Sequence, residues 1–220
     1  MTIYMKFLKF LKFSLGEMQA NCYFLLQGNH CIIVDPADSA DFILEEVSRR
    51  NLTVDAVIAT HGHFDHIMAA GELQLALGIP FTIHPADRFL VARLEQTAQH
   101  FLGHTPFVIK PTEFSDLKAG KNTIGDFTFE VIETPGHTPG SVSLYFPDDQ
   151  MIFTGDTLFM EAVGRYDFSY SDKEKLKQSV ESLLRLPDEN VIQPGHGEET
   201  TVQMEKMNLP YFFNVSNAGF

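Results

Sequence analysis

Residues 60–66 read Thr60-His61-Gly62-His63-Phe64-Asp65-His66, which sets three imidazoles and one carboxylate within six consecutive positions. Nitrogen and oxygen donors packed this densely make a metal site and point to two ions. A solvated His-rich loop is the alternative, and three donor signals downstream speak against it. His137 lies in Thr134-Pro135-Gly136-His137-Thr138-Pro139-Gly140, Asp156 follows Gly155, and His196 sits in Pro194-Gly195-His196-Gly197. The seven residues are five imidazoles and two carboxylates without a thiolate. Such a set suits zinc, iron or manganese and does not choose among them.

Each donor follows a strand-like run. Val54-Asp55-Ala56-Val57-Ile58-Ala59 is short and apolar, as a buried strand would be, and empties into His61. Phe127-Thr128-Phe129-Glu130-Val131-Ile132-Glu133 alternates, then meets the turn-rich segment that exposes His137. Met151-Ile152-Phe153-Thr154 leads to Asp156, and Val191-Ile192-Gln193 leads to His196. Four strands are therefore expected to deliver ligands at their carboxyl ends. Gly136, Gly155 and Gly195 beside them let the backbone turn sharply and approach an ion closely.

These segments carry a resemblance. The chain resembles a metallo-β-lactamase-fold hydrolase of the glyoxalase II-like branch. The match runs through residues 60–66, Pro135-Gly136-His137-Thr138-Pro139-Gly140-Ser141, Gly155-Asp156-Thr157-Leu158-Phe159 and Pro194-Gly195-His196-Gly197. Ala20-Asn21-Cys22-Tyr23 and Ile32-Ile33-Val34-Asp35-Pro36 are similar to the family's opening hairpin. The resemblance implies an α/β fold, an αββα sandwich of two mixed β-sheets with outer helices, in a single domain over residues 1–220. It also implies that His61, His63 and His137 hold one metal, Asp65, His66 and His196 hold the second, and Asp156 bridges them. The commonest class B β-lactamases place a cysteine where this chain matches Asp156, so the carboxylate favours the thioesterase-like side of the superfamily.

The rest of the chain supplies the frame. With 44% hydrophobic residues in 220, it can bury a substantial core as one domain. The formal charge of −13 disfavours nucleic acid, whose binding rests on a basic face; no long insertion offers itself to grip a tRNA. Cys22 and Cys31 lie in apolar runs, where core filling is the usual role. Residues 5–13 place lysine at every third position, which denies them the apolar core of a signal peptide. A first strand from near Met5 or Lys9 to Gly16 is expected, with an amphipathic surface helix as the alternative. Helices are expected over 39–50, capped by Ser39, over 65–77, over 89–102 and over 173–186, stopped by Pro187. The halves 1–120 and 121–220 each offer strands and then a helix, which suits two sheets face to face. His30, His84, His100 and His104 are read as surface or supporting residues, not ligands.

Gly164-Arg165-Tyr166-Asp167 follows Asp156 closely enough to line the same mouth. The resemblance gives Arg165 a part in substrate binding, and a salt bridge to Asp167 is the equal alternative. The rim Phe168-Ser169-Tyr170-Ser171-Asp172 departs from the Pro/Gly-rich turn of relatives, and 24 residues follow His196 where full-length glyoxalase II enzymes carry a helical domain. Much of the usual glutathione grip is thus expected to be missing. The expected enzyme is a binuclear metal-dependent hydrolase of acyl thioesters or small esters in the cytoplasm. Its two divalent ions would be zinc first, iron or manganese otherwise, with Asp65 and Asp156 orienting the nucleophile. A mononuclear iron persulfide dioxygenase is the alternative, ahead of a β-lactamase or a metal-binding non-enzyme. A small molecule is the expected partner, without stable membrane association, and oligomeric state is not legible.

Overall fold

The structure is a computed structural model that describes residues 8–208. Its first sheet runs in the order β1 (Lys9–Leu15), β2 (Ala20–Gln27), β3 (His30–Val34), β4 (Thr53–Ile58), β5 (Phe81–Ile83) and β6 (Phe114–Asp116). The second contains β7 (Gly120–Ile124), β8 (Phe127–Glu133), β9 (Val142–Phe146), β10 (Met151–Gly155), β13 (Val191–Pro194) and β14 (Thr200–Thr201). Its spatial order is β14-β13-β10-β9-β8-β7, and β11 (Leu158–Phe159) with β12 (Ala162–Val163) form a separate ribbon. Both sheets are mixed. β3 to β6 run parallel while β1, β2 and β3 are antiparallel, and in the second sheet the parallel pair is β10 with β13. The division between sheets falls at Gly120, where the sequence halves were drawn.

Side-chain alternation explains the layering. Tyr23, Leu25, Ile32, Val34, Ala56 and Ile58 turn one way and pack on Phe127, Phe129, Val131, Leu144, Phe146 and Phe153, forming the core between the sheets. Their neighbours Cys22, Phe24, Cys31, Ile33 and Val57 turn the other way, beneath α1 (Ala40–Arg49), α3 (Ala70–Leu77) and α5 (Leu94–Leu102). On the far face of the second sheet, Tyr145, Ile152 and Ile192 meet Leu176, Val180 and Leu183 of α6 (Lys173–Leu183) and Val202 of α7 (Val202–Asn208). This is the αββα sandwich. Cys22 and Cys31 are buried and free, as core filler should be. Among the described residues no helix is long and apolar enough to cross a membrane.

Five readings are corrected. The helix expected over 65–77 is two, α2 (Phe64–Ile67) and α3, because Ala37 intrudes between them. Its N–H donates to His66 O and its C=O accepts from Ala69 N, both at 2.9 Å, so those groups are spent outside the helix. The helix expected over 89–102 breaks at Arg93 into α4 (Arg88–Ala92) and α5, where Arg93 N donates to Leu90 O three residues back. Ser39 does not cap α1 with its side chain; it stands at φ 63° with its N–H on Asp38. Lys9 to Phe13 is strand, which removes the amphipathic helix there; residues 5–7 lie outside the described residues. Helix α6 also ends earlier than expected, at Leu183, since Arg185 and Leu186 turn back onto carbonyls three residues earlier.

Candidate metal centre

All four donor-bearing strand ends, with Asp35 after β3, open on one edge of the sandwich, because β8 and β10 both pair antiparallel with β9 and β13 runs parallel to β10. The two sheets are tied there: Val142 N donates to Thr60 O at 2.9 Å and Asn21 N to Gly195 O at 2.7 Å, and within the second sheet Gly195 N donates to Gly155 O at 2.8 Å. His61 and His63 follow β4, and Asp65 and His66 sit in the single turn of α2, where free N–H groups favour a carboxylate. Gly155 adopts φ 50° and packs against Thr60 so tightly that a Cβ would lie 2.2 Å from its Oγ1. At Gly195 a Cβ would lie 2.2 Å from Asp156 Oδ1. Both glycines are needed for the approach of the donors, and neither leaves space for a side chain.

All seven expected residues come together. His61, His63, His137 and Asp156 form one group and Asp65, His66 and His196 another, with the donor atoms of each within 4.8 Å of one another. Asp156 faces both. Its Oδ2 is 3.9 Å from His61 Nε2 and 3.5 Å from His137 Nε2, while its Oδ1 is 3.3 Å from His66 Nε2. His196 Nε2 stands 3.2 Å from Asp65 Oδ2 and 3.2 Å from His66 Nε2. Donors that share a tetrahedral ion at about 2.0–2.1 Å lie about 3.3 Å apart, so these spacings are those of ligands around an ion.

The tautomers agree. His66 Nδ1–H donates to Asp35 Oδ2 at 3.1 Å, His137 Nδ1–H to Arg165 O at 2.8 Å and His196 Nδ1–H to Gln19 O at 3.3 Å. Thr60 Oγ1–H donates to Asp35, which leaves its lone pair to accept from His61 Nδ1–H at 3.1 Å. Four Nε2 atoms are thereby turned inward, where they can share a cation, and His63 turns Nδ1 to within 2.8 Å of His137 Nε2. Lone pairs this close repel unless a cation stands between them. His61 Nε2 and Asp156 Oδ1 are buried without a hydrogen-bond partner, a costly state that metal ligation relieves. The residues present fit divalent cations.

Electrostatics point the same way. Burial, with His66 beside it, pushes His61 well below the ordinary imidazole range, and burial with His137 pushes His63 down to about 3. Both are neutral, the form that binds metal. Burial pushes the Asp156 carboxyl up, but His66, His61 and His137 outweigh it and hold Asp156 ionised. Burial opposes charge on His66 too, yet Asp156 and Asp65 raise it well above its usual value, which marks the place where positive charge is wanted.

The residues that hold the ligands were less visible in sequence. Asp35 accepts from Thr60 N at 2.7 Å, Thr60 Oγ1 at 2.8 Å and His66. It ends an apolar strand as the ligands do, and that signal could have found it. Asp87, fully buried, accepts from Gly62 N, Gly140 N and Thr138 Oγ1 at 2.8, 2.6 and 2.6 Å, clamping the two His-bearing loops together. Nothing in its spacing announced this. Tyr170 Oη lies 2.9 Å from His63 Nε2 and turns the expected rim into part of the site. Arg165 lines the cavity above the donors and is also paired with Asp167, through Nε at 2.9 Å and Nη2 at 2.8 Å. His30, His84 and His104 pair with Asp55, Glu133 and Glu17, and His100 packs on Phe101, all outside the two groups.

Comparison with known proteins settles the family. The sequence pattern of the "Metallo-beta-lactamase superfamily" matches residues 15–196. The chain belongs to the metallo-β-lactamase superfamily. Among its curated relatives, the "Probable metallo-hydrolase YqgX" of Bacillus subtilis is 35% identical over 95% of this chain and 100% of its own length. The "Hydroxyacylglutathione hydrolase GloC" of Haemophilus influenzae is 32% identical over 90% and 95%. Of solved structures, that of "BLEG-1 B3 metallo-beta-lactamase" superposes with a TM-score of 0.85 at 33% identity, covering 92% of this chain and 99% of the other. "TTHA1623 in a di-iron-bound form" gives 0.83 at 35% identity, covering 90% and 98%. Superfamily membership and the His/Asp clusters together make this chain a metal-dependent hydrolase.

Proposed function

We propose that this superfamily member is a binuclear hydrolase of acyl thioesters of the hydroxyacylglutathione kind, or of related small esters, built as one domain. The observation that supports this best is the Asp156 carboxylate, which faces both donor groups at the floor of a cavity of about 270 Å³, with Oδ1 toward His66 and Oδ2 toward His61, His137 and, at 3.8 Å, His196. His61, His63, His137 and Asp156 would hold one ion, and Asp65, His66 and His196, with Asp156 shared, the other. Zinc is placed first, with iron or manganese as alternatives, and the di-iron form of TTHA1623 supports a paired site. Divalent ions bound there supply Lewis acidity and a water acidic enough to lose a proton near neutral pH.

The chain's own groups set the rest. Asp65 and Asp156 present carboxylate oxygens on the cavity floor that accept hydrogen bonds from a water and fix its direction of attack. The apolar walls exclude bulk water and so strengthen charge interactions at the floor. In the overall reaction the water oxygen bonds to the acyl carbon, the C–S bond breaks and the thiolate takes up a proton. The proposed partner is a small molecule and not nucleic acid, in keeping with the charge of −13, and the proposed location is the cytoplasm.

The name of GloC supports the thioester reading. The name of BLEG-1 favours β-lactam hydrolysis as a second reading. A persulfide dioxygenase would use one tightly held iron. Purified protein loaded with zinc, iron or manganese should release thiol from a panel of thioesters, with higher kcat/KM than for any β-lactam. Faster β-lactam turnover would reverse the order of the two readings, and no thioester turnover with any of the metals would remove the first.

A further inference from the structure

The cavity above the donors is walled by carbon. Its volume of about 270 Å³ falls just below the roughly 300–1,000 Å³ of most small-molecule sites, so it accepts one ring or a short branched chain. Phe64 and Phe101 stack with centroids 5.6 Å apart and planes 9° apart, and Phe101 meets Phe168 edge-on at 6.4 Å. Phe168 in turn stacks on Tyr170 at 5.5 Å and stands 5.1 Å from the His63 ring. These rings form a continuous arc that descends from the mouth to the donors, with Phe159 opposite, 6.4 Å from His196.

Charge is arranged to match. Of the described side chains lining the cavity, only Arg165 bears a permanent positive charge, and it is already paired with Asp167. Its Nε and Nη2, the side-on pair that could receive a ligand carboxylate, both donate to Asp167. Its guanidinium carbon lies 4.5 Å from the Phe168 ring centroid, so it packs on that ring and helps fix it.

Building on the hydrolase reading, we propose that the cavity binds an uncharged aryl or short branched group of the substrate's acyl part, and that Arg165 positions Phe168 instead of receiving a carboxylate. A ring in this arc exchanges water for aromatic faces and edges, the packing such rings prefer. Above the donor floor, an acyl group with its own carboxylate would meet apolar wall and a guanidinium whose Nε and Nη2 already donate to Asp167.

The test compares two non-hydrolysable thioethers of one neutral carrier, S-benzyl- and S-carboxymethyl-N-acetylcysteamine, by titration calorimetry on the metal-loaded protein. The benzyl compound should bind about tenfold tighter or more, a difference that Phe168→Ala and the milder Phe168→Leu should each reduce. Arg165→Ala should weaken the benzyl compound several-fold and leave the carboxymethyl compound unchanged. Equal or tighter binding of the carboxymethyl compound, or its selective loss in Arg165→Ala, would overturn the proposal. In parallel, phenylacetyl and succinyl thioesters of the same carrier are assayed for thiol release. A benzyl preference without turnover of either thioester would sink the hydrolase reading and keep the cavity assignment; turnover that favours the succinyl thioester would do the reverse.

Discussion

Asp35 shows how a residue that touches no substrate can govern the site. It takes the Nδ1 proton of His66 and, through Thr60, fixes the Nδ1 proton of His61, so one carboxylate orients one ligand in each donor group. Removing such a partner costs about 10–100-fold in metal affinity. Asp35→Asn keeps the volume and removes the charge, and competition with a chromogenic chelator should show weaker binding by about that factor. Unchanged affinity would mean that the imidazoles are oriented without it. At this scale the sequence was informative where chemistry is concentrated. His61, His63, Asp65 and His66 lie in one string, and His137, Asp156 and His196 each follow a strand run beside a glycine. Asp35 and Asp87 escaped and Tyr170 was legible only as part of the rim, because each acts on a partner 25 or more positions away and no local pattern records such a pairing.

At the level of elements, the loops are positioned by a few buried bonds. Asp87 gathers Gly62, Gly140 and Thr138, and burial raises its carboxyl while those three donors pull it back. Asp87→Ala would leave two loop N–H groups and a hydroxyl buried without their acceptor, at a cost of about 3 kcal/mol. Urea denaturation of the metal-free protein should show that loss with the slope unchanged; a loss below about 1 kcal/mol would show the loops to be held otherwise. Strands were more legible than helices for a related reason. The run 127–133 alternates because its Phe127, Phe129 and Val131 face the core while Thr128 and Glu130 face solvent, and the strand has those bounds. The apolar spacing of 65–77 has helical period throughout, yet the backbone at 66 and 69 bonds to Ala37 and divides it. Periodicity reports which face is buried, not where a neighbouring strand end claims a carbonyl.

Across the whole molecule, the donors come from both sheets. His61, His63, Asp65 and His66 leave the first, and His137, Asp156 and His196 leave the second. Two face-to-face sheets were legible because each half of the chain offers strands and then a helix, and the family resemblance implied the full αββα arrangement. Burial of Asp156 between two groups of imidazoles is the feature on which the proposed chemistry turns, since a carboxylate that faces both groups can serve two ions at once. Counting metal is therefore the most direct test. The protein is to be saturated with zinc, desalted and analysed by mass spectrometry for metal per chain, beside Asp156→Ala and His196→Ala. Two ions per chain are expected for the parent, a fall at both sites for Asp156→Ala, and one retained ion for His196→Ala. A single ion per chain in the saturated parent, or equal loss from both sites in His196→Ala, would contradict the shared two-ion site.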